Sequence, residues 1–339
     1  MIHLGIDLHK KYSYVTGIND TGQVQFEAKV ANHPDTWSQV LEGLGGDCQA
    51  VIEAGYHWGS LYDLLEGLGV DVQVAHPTRL RAIAESQIKT DQRDSRTLAQ
   101  LLRANLIPRI YIPPKDIREL KNVLRHRMFL VKLRTMTKNR IHQILDRNHI
   151  ENPGLTDLFG KAGRRFLNQV KLGQTEQVLL EGHLGLLDHL LEAIGEVEKQ
   201  IKIHLEDDWR VKLIRSIPGF GLTLATVVAL EVDAIERFRD HGRFASYAGL
   251  VPRVYASGGQ SYRGRLVSSA NHYLKWAFIE AAWKAQIASP YCRALFQKIR
   301  KRKGANVAVV AVARRLSEIV FKILKEKREY RELGVLSHG

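Results

Sequence analysis

The sequence predicts an α/β N-terminal domain with a mixed sheet, a helical coiled-coil middle and a mostly α C-terminal domain. Three observations carry this. Three strand-like runs follow one another near the start and then give way to alternating helices and strands. Leucines recur at three-four spacing between Glu176 and Leu205. Beyond Gly221 the apolar residues again fall mostly at helical spacing. The expected boundaries are 1–110, 111–205 and 206–339.

Taken in order, Ile2-His3-Leu4-Gly5-Ile6-Asp7-Leu8 reads as a buried strand ending in an acid. Tyr12 to Ile18 is a second strand, Asn19-Asp20-Thr21-Gly22 a hairpin-type turn, and Val24 to Val30 an alternating third strand. A helix from about Asp35 to Leu44 leads to Ala50-Val51-Ile52-Glu53, a short apolar strand that also ends in an acid. Trp58 to Leu68 is helical, Val70 to Ala75 is a strand, and Pro77 opens the approach to a helix beginning near Asp91. Thr90 is its expected N-cap, with Leu98, Leu101 and Leu102 as its apolar stripe.

Composition narrows the partners. Of 339 residues, 45% are hydrophobic and 25% charged, which suits a globular chain with a real core. Lys and Arg number 50 against 36 Asp and Glu, a net charge of +14 that favours a polyanionic partner, nucleic acid first. No apolar run is long enough to span a membrane, and the N-terminus lacks the basic flank and apolar core of a signal peptide. Cys48 and Cys292 alone supply neither a disulfide framework nor a cysteine-rich zinc site, so a reducing cytoplasm is the expected setting.

Four acids draw attention together. Asp91 and Asp94 lie three apart in the first turn of their helix and point the same way. Acids there also serve the helix macrodipole, so the pair taken alone has two readings. Asp7 ends the first strand and Glu53 the fourth, where neighbouring strand ends bring them towards that pair. With no basic residue evident beside Asp7 or Glu53, four carboxylates suggest hard divalent cations, most simply Mg²⁺. Two such ions about 4 Å apart stabilise the entering and leaving oxygens of a phosphodiester reaction. The acidic pattern resembles the ribonuclease-H/RuvC superfamily. Gly5-Ile6-Asp7 before a hairpin also opens sugar-kinase and actin-like folds, but those follow the Asp with a Gly and a hydroxyl residue, and Leu8-His9-Lys10 stands here.

Asp116 to His149 reads as a helix rich in base, from Arg118 and Lys121 through Arg125, Arg127 and Lys132 to Lys138 and Arg140. That face is either solvated or laid on nucleic acid. Pro153-Gly154 breaks it, and a second helix from about Glu176 to Leu205 carries Leu180, Leu184, Leu187, Leu191, Ile194, Ile201 and Leu205, interrupted by Glu198. The two suit an antiparallel hairpin, used for dimerisation or packed on its own domain. Further on, Pro218-Gly219-Phe220-Gly221 before a helix from Leu222 to Glu231 offers backbone N–H groups to a phosphate, or is an ordinary helix connection. Ser257-Gly258-Gly259 reads as a flexible turn, with Arg253, Arg263 and Arg265 placed to hold a phosphate. Asn271 to Ala288 and Ala305 to Tyr330 are helical, with Trp276, Phe278, Trp283, Leu316, Ile319, Val320 and Ile323 as expected core.

The whole ordered set resembles the insertion-sequence-110 family of transposases, relatives of the pilin-gene invertases. It runs Gly5-Ile6-Asp7, Ile52-Glu53-Ala54, Lys89-Thr90-Asp91-x-x-Asp94-Ser95, Ile217-Pro218-Gly219-x-Gly221, Phe244 to Pro252 and Ser257-Gly258. The resemblance implies an RNase H/RuvC-like N-terminal domain whose acidic tetrad is Asp7, Glu53, Asp91 and Asp94, and a C-terminal transposase domain whose nucleophile is Ser257. It implies serine attack on a DNA phosphodiester, metal held by the tetrad, a Holliday-junction-like intermediate and a structured bridge RNA that selects donor and target DNA. It also implies dimers that pair into a tetramer and share their sites. One departure stands out. Family members often carry Ser-Lys-x-Gly-Asn/His after the serine loop, and this chain has Ser268-Ser269-Ala270-Asn271-His272 without the lysine. The alternatives are a RuvC-like, metal-dependent Holliday-junction nuclease that makes no covalent serine intermediate, and a non-catalytic nucleic-acid scaffold.

Overall fold

The computed structural model describes residues 1–84, 90–257, 260–267 and 269–332. The chain divides into two compact units, Met1–Pro113 and Pro114–Gly339. In the first, the elements run β1 (Ile2–Leu8), β2 (Tyr12–Ile18), β3 (Val24–Ala31), α1 (Pro34–Leu44), β4 (Cys48–Glu53), α2 (Trp58–Gly67), β5 (Asp71–Ala75), α3 (Pro77–Ile83) and α4 (Asp91–Arg103). The strand order is β3-β2-β1-β4-β5. The β1–β2 and β2–β3 pairs are antiparallel, and β1–β4 and β4–β5 are parallel. The mixed α/β expectation for this region is met.

Helices cover both faces of the sheet, which is why β4 is an unbroken apolar run: Ala50, Val51 and Ile52 are all fully buried. On one face Leu4, Ile6, Ala50 and Ile52 pack with Trp37 of α1 and Leu61 and Leu65 of α2. On the other, Val51 and Ala75 meet Leu80 of α3 and Leu98 and Leu102 of α4. A pleated strand alternates its sides, so Gly5 faces opposite to Leu4 and Ile6, towards α4.

At Gly5 the helix lies almost on the strand backbone. A Cβ there would sit 1.9 Å from the Ser95 carbonyl oxygen and 2.3 Å from the Ala99 nitrogen. The contact is locked from the neighbouring strand by a buried hydrogen bond of 2.7 Å between the Thr16 and Ser95 hydroxyls, Thr16 being the residue paired with Gly5. Further out, Glu27 of β3 accepts from Gln92 at 2.7 Å and pairs with Arg96 at 3.2 Å. Thr90 caps α4 by accepting from the Arg93 N–H, as expected from the sequence.

The second unit begins with α5 (Lys115–Arg147), α6 (Lys161–Gln169), α7 (Gln174–Leu205), α8 (Trp209–Arg215) and α9 (Leu222–Val232). It continues through α10 (His241–Tyr247), the hairpin β6 (Pro252–Ser257) and β7 (Gln260–Leu266), α11 (His272–Ala288), α12 (Pro290–Lys303) and α13 (Ala305–Glu326). Contacts fix α5 and α7 as antiparallel. Ile141 and Leu145 pack with Leu180 and Leu184, and Leu130 packs with Leu190 and Ile194. Ile117 and Leu124 join Ile201 and Leu205 in the core that the C-terminal helices build. Helix α9 is buried from Ala225 to Val232. A helix apolar on all sides belongs at the centre of its layer.

Several expectations are corrected. Leu191 points to solvent and Leu190 takes its place in the seam, packing with Leu130 of α5 and Ile194. Trp283 is 37% exposed, with its ring edge against Phe296, while Phe278, Leu316, Val320 and Ile323 form core as expected. Lys121 leaves the basic face of α5 and is buried. Glu198 interrupts the α7 stripe because it receives Arg127 of α5 at 2.8 Å. Short α3, α6 and α10 lack the long periodicity that reveals a helix, the sequence reading misses α12, and the sequence pattern shows only a turn where β6 and β7 form a hairpin.

Gly5→Ala is expected to destabilise the N-terminal unit by about 2–4 kcal/mol in chemical denaturation, because backbone atoms of α4 occupy the space. Gly43→Ala, where a Cβ meets nothing within 4 Å, is the control and should be neutral or stabilising by about 0.5–1 kcal/mol.

Candidate active site

The first group of candidate residues assembles where β1 ends and α4 begins. Ile6 and Ile52 are paired across the parallel β1 and β4, so Asp7, one residue before the end of β1, and Glu53, the last of β4, lie at the same end of adjacent strands. From Gly5 to Asp7 is two strand residues, about 6.6 Å. From Ser95 back to Asp91 is four helix residues, about 6 Å. Because Gly5 abuts Ser95, these equal lengths carry Asp91 to the level of Asp7.

Ligand-capable atoms of Asp7, His9 and Asp91 lie within 4.8 Å of one another, all three residues half-buried. His9 Nε2 is 3.3 Å from Asp7 Oδ2 and 3.1 Å from Asp91 Oδ2. Yet that nitrogen is buried and makes no hydrogen bond. Among the described residues this is the one such cluster, and Glu53 and Asp94 do not join it. Glu53 is exposed at its strand end and Asp94 is half-buried in the first turn of α4. The sequence reading thus missed His9, and its premise that no base stands beside Asp7 is corrected. The signal was its position two residues after a strand-end acid, where the chain turns back towards β2. Two carboxylates with a buried, hydrogen-bond-free imidazole nitrogen between them form a donor set that fits a divalent cation.

The second group lies in the C-terminal unit. Ser257 is the last residue of β6 and pairs with Gln260, the first of β7, so it flanks the turn of the hairpin. Gly258, Gly259, Ser268 and the Ser257 hydroxyl lie outside the described residues, as does the Arg263 guanidinium. Arg253 and Arg265 are exposed on the two strands. Gly219 has φ +96° and a Cβ there would lie 2.3 Å from the Ala281 carbonyl oxygen, so this glycine seats the turn on α11. Gly221 is the exposed N-cap of α9.

The segment that follows the hairpin is fastened to a buried charge. Glu231, 4% exposed on α9, accepts from Arg125 at 3.1 Å and from Asn271 Nδ2 at 2.8 Å, and has Lys121 at 3.7 Å. Burial pushes the Lys121 ammonium below its usual range despite the carboxylate beside it. Asn271 in turn caps α11, accepting from the Tyr273 and Leu274 N–H groups, and its own N–H donates to the Tyr247 carbonyl. One carboxylate therefore ties α5, α9 and the start of α11 together.

Comparison with known proteins gives a consistent picture. Residues 4–150 match the transposase family that carries the DEDD acidic set of IS110 elements, and residues 211–297 match the transposase IS116/IS110/IS902 family. The chain is 25% identical to the transposase for insertion sequence element IS1111A of Coxiella burnetii, over 97% of this chain and 91% of that protein. It is 26% identical to a probable family 20 transposase of Pseudomonas aeruginosa, over 97% and 98% respectively. A third relative, the IS116 uncharacterized 44.8 kDa protein of Streptomyces clavuligerus, is 24% identical over 96% of this chain and 95% of its own length. A DEDD domain calls for a divalent metal, in keeping with the donors at Asp7 and Asp91.

Removing the buried carboxylate should be costly. Glu231→Ala leaves Lys121 and Arg125 without their counter-charge and is expected to lower stability by about 3–5 kcal/mol. The same substitution should release the α11 cap, seen as faster amide exchange at Tyr273 and Leu274. Unchanged stability and exchange would show that the cluster is not what fixes this region.

Proposed function

The chain belongs to the IS116/IS110/IS902 family of transposases and acts in DNA transposition, and from that premise we propose that it is an RNA-guided recombinase with a serine nucleophile. Its N-terminal unit is read as RNase H/RuvC-like, supported by the strand order β3-β2-β1-β4-β5 and by acids on β1, β4 and α4. The observation that carries the reading is the convergence of Asp7 and Asp91 from opposite ends of the domain sequence into one group whose donor atoms fit a cation.

In this reading Asp7, Glu53, Asp91 and Asp94 hold Mg²⁺, which when bound offsets charge at the reacting phosphodiester. The Ser257 hydroxyl oxygen attacks phosphorus and forms a phosphoserine diester. The bond from phosphorus to one sugar oxygen breaks, and that oxygen leaves with the serine proton. A free sugar hydroxyl of the second DNA then attacks the same phosphorus and restores the serine. Each step exchanges one ester for another, so strand exchange needs no water and no external energy source. Arg253, Arg263 and Arg265 neutralise the phosphate, with fork-shaped guanidinium groups suited to its oxygens. Gly221 offers a backbone N–H to the DNA backbone, and Gly219 shapes the turn before it.

Strand exchange proceeds through a Holliday-junction-like intermediate, on donor and target DNA chosen by base pairing with a structured bridge RNA. The net charge of +14 supports polyanionic partners on this scale. The α5–α7 hairpin supports dimers that pair into a tetramer, in which acids and serine of different copies share a site. The setting is the cytoplasm. Among the described residues no helix is long and apolar enough to cross a membrane.

Trapping the covalent intermediate tests the chemistry. Denaturing gels should show a protein–DNA adduct in the native chain and none in Ser257→Ala, with strand exchange reduced at least about 10⁴-fold. Asp7→Ala should lose both adduct and exchange while retaining nucleic-acid binding. Metal-dependent cleavage that continues without an adduct, and survives Ser257→Ala, would establish the junction-nuclease alternative instead.

A further inference from the structure

We propose that His9 is a nitrogen ligand to the divalent ion held by Asp7 and Asp91, and that it biases this site towards Mn²⁺ over Mg²⁺. The proposal rests on the reading that these acids bind metal, and adds a residue that the acidic set does not contain. Its basis is the spacing. Neighbouring ligand atoms around an octahedral ion with bonds of about 2.1 Å lie about 3.0 Å apart. The Nε2 atom of His9 stands 3.3 Å from Asp7 Oδ2 and 3.1 Å from Asp91 Oδ2, close to that edge length on both sides. Both approaches are within ion-pair distance, yet the buried nitrogen hydrogen-bonds to neither carboxylate, which leaves it facing the space between them.

A ligand must also be held in place before the metal arrives, and His9 is. Its backbone N–H donates to the Tyr12 carbonyl at 2.9 Å, and its carbonyl accepts from Asn32 Nδ2 at 2.8 Å. Asn32 is itself oriented by the Ser13 hydroxyl, which donates to its Oδ1 at 2.7 Å. The imidazole packs against the Tyr12 ring at 4.8 Å between centroids, and the Lys29 ammonium lies 3.5 Å from the other ring contact point, the Tyr12 centroid. Such outer contacts fix ring orientation in metal-binding histidines. They also keep the lysine charge on an aromatic face rather than on the acids.

The consequence for selectivity follows from ligand type. Mg²⁺ prefers oxygen donors and keeps its waters, whereas Mn²⁺ also favours oxygen but, as a transition-metal ion, gives up a water for an imidazole nitrogen more readily. An oxygen-only tetrad gives little reason to discriminate between them, and an imidazole does.

Pulsed electron paramagnetic resonance of the full chain loaded with Mn²⁺ reads the nitrogen directly. The native protein should show echo modulation from a directly bound nitrogen, altered when its histidines are labelled with ¹⁵N and absent in His9→Gln. Calorimetric titrations should show His9→Gln weakening Mn²⁺ binding about tenfold or more and changing Mg²⁺ binding less than about threefold. Circular dichroism of the variant checks that it folds, and the labelled native protein needs no variant at all. Saturable Mn²⁺ binding that requires Asp7 but shows no nitrogen modulation would overturn the role of His9 and leave the acidic site standing. Binding that survives Asp7→Asn, or no saturable binding, would overturn both.

Discussion

The N-terminal unit depends on one close approach, the backbone of α4 lying on the backbone of β1 at Gly5. Every larger residue needs space that the Ser95 carbonyl and the Ala99 nitrogen already fill. The packing is therefore a matter of hard contact rather than of preference, and interiors at crystal-like density cannot absorb it. Two polar ties hold the helix in register once it is down: Thr16 to Ser95 within the core, and Glu27 to Gln92 and Arg96 at the outer strand. Since α4 begins with Asp91 and Asp7 stands one residue before the end of β1, this register decides whether two distant carboxylates become neighbours.

The C-terminal unit uses a different device. Its central helix α9 is buried almost throughout, and one charged side chain on it, Glu231, reaches Arg125 and Lys121 of α5 and Asn271 at the head of α11. A buried carboxylate is tolerated only with opposite charge and hydrogen bonds around it. In satisfying that need it fastens the long helical hairpin to the segment that follows the β6–β7 hairpin carrying Ser257. Packing sets the core here, and electrostatics sets how the hairpin is attached to it.

Of the candidate residues, Asp7 and Asp91 of the N-terminal unit form a group with His9, and those of the C-terminal hairpin are spread over its two strands. In that group the imidazole stands between the two carboxylates, its own backbone anchored by Tyr12 and Asn32. Two carboxylates brought this close repel each other, and a cation between them relieves that repulsion. The site is thereby prepared for a cation by the same loop that turns β1 into β2.

Much of this was legible in the sequence. Short apolar runs, one alternating run and a hairpin-type turn identify the five strands of the N-terminal unit, long apolar periodicity identifies α5 and α7, and a capping threonine marks the start of α4. Asp7, Glu53 and Asp91 stand at strand and helix ends, where local rules suffice to place them. Short helices such as α3 and α10 carry too few turns for a period to show, and one-residue choices such as Leu190 over Leu191 depend on the partner helix. The burial of Lys121 had no sequence signal, because it answers to Glu231, 110 positions away in the chain and adjacent only once α9 packs on α5. The position of His9 between Asp7 and Asp91 was likewise decided only by the tertiary structure. Local propensity sets what each segment becomes, but which charge meets which depends on how closely the segments pack, and that is settled by contacts remote in sequence.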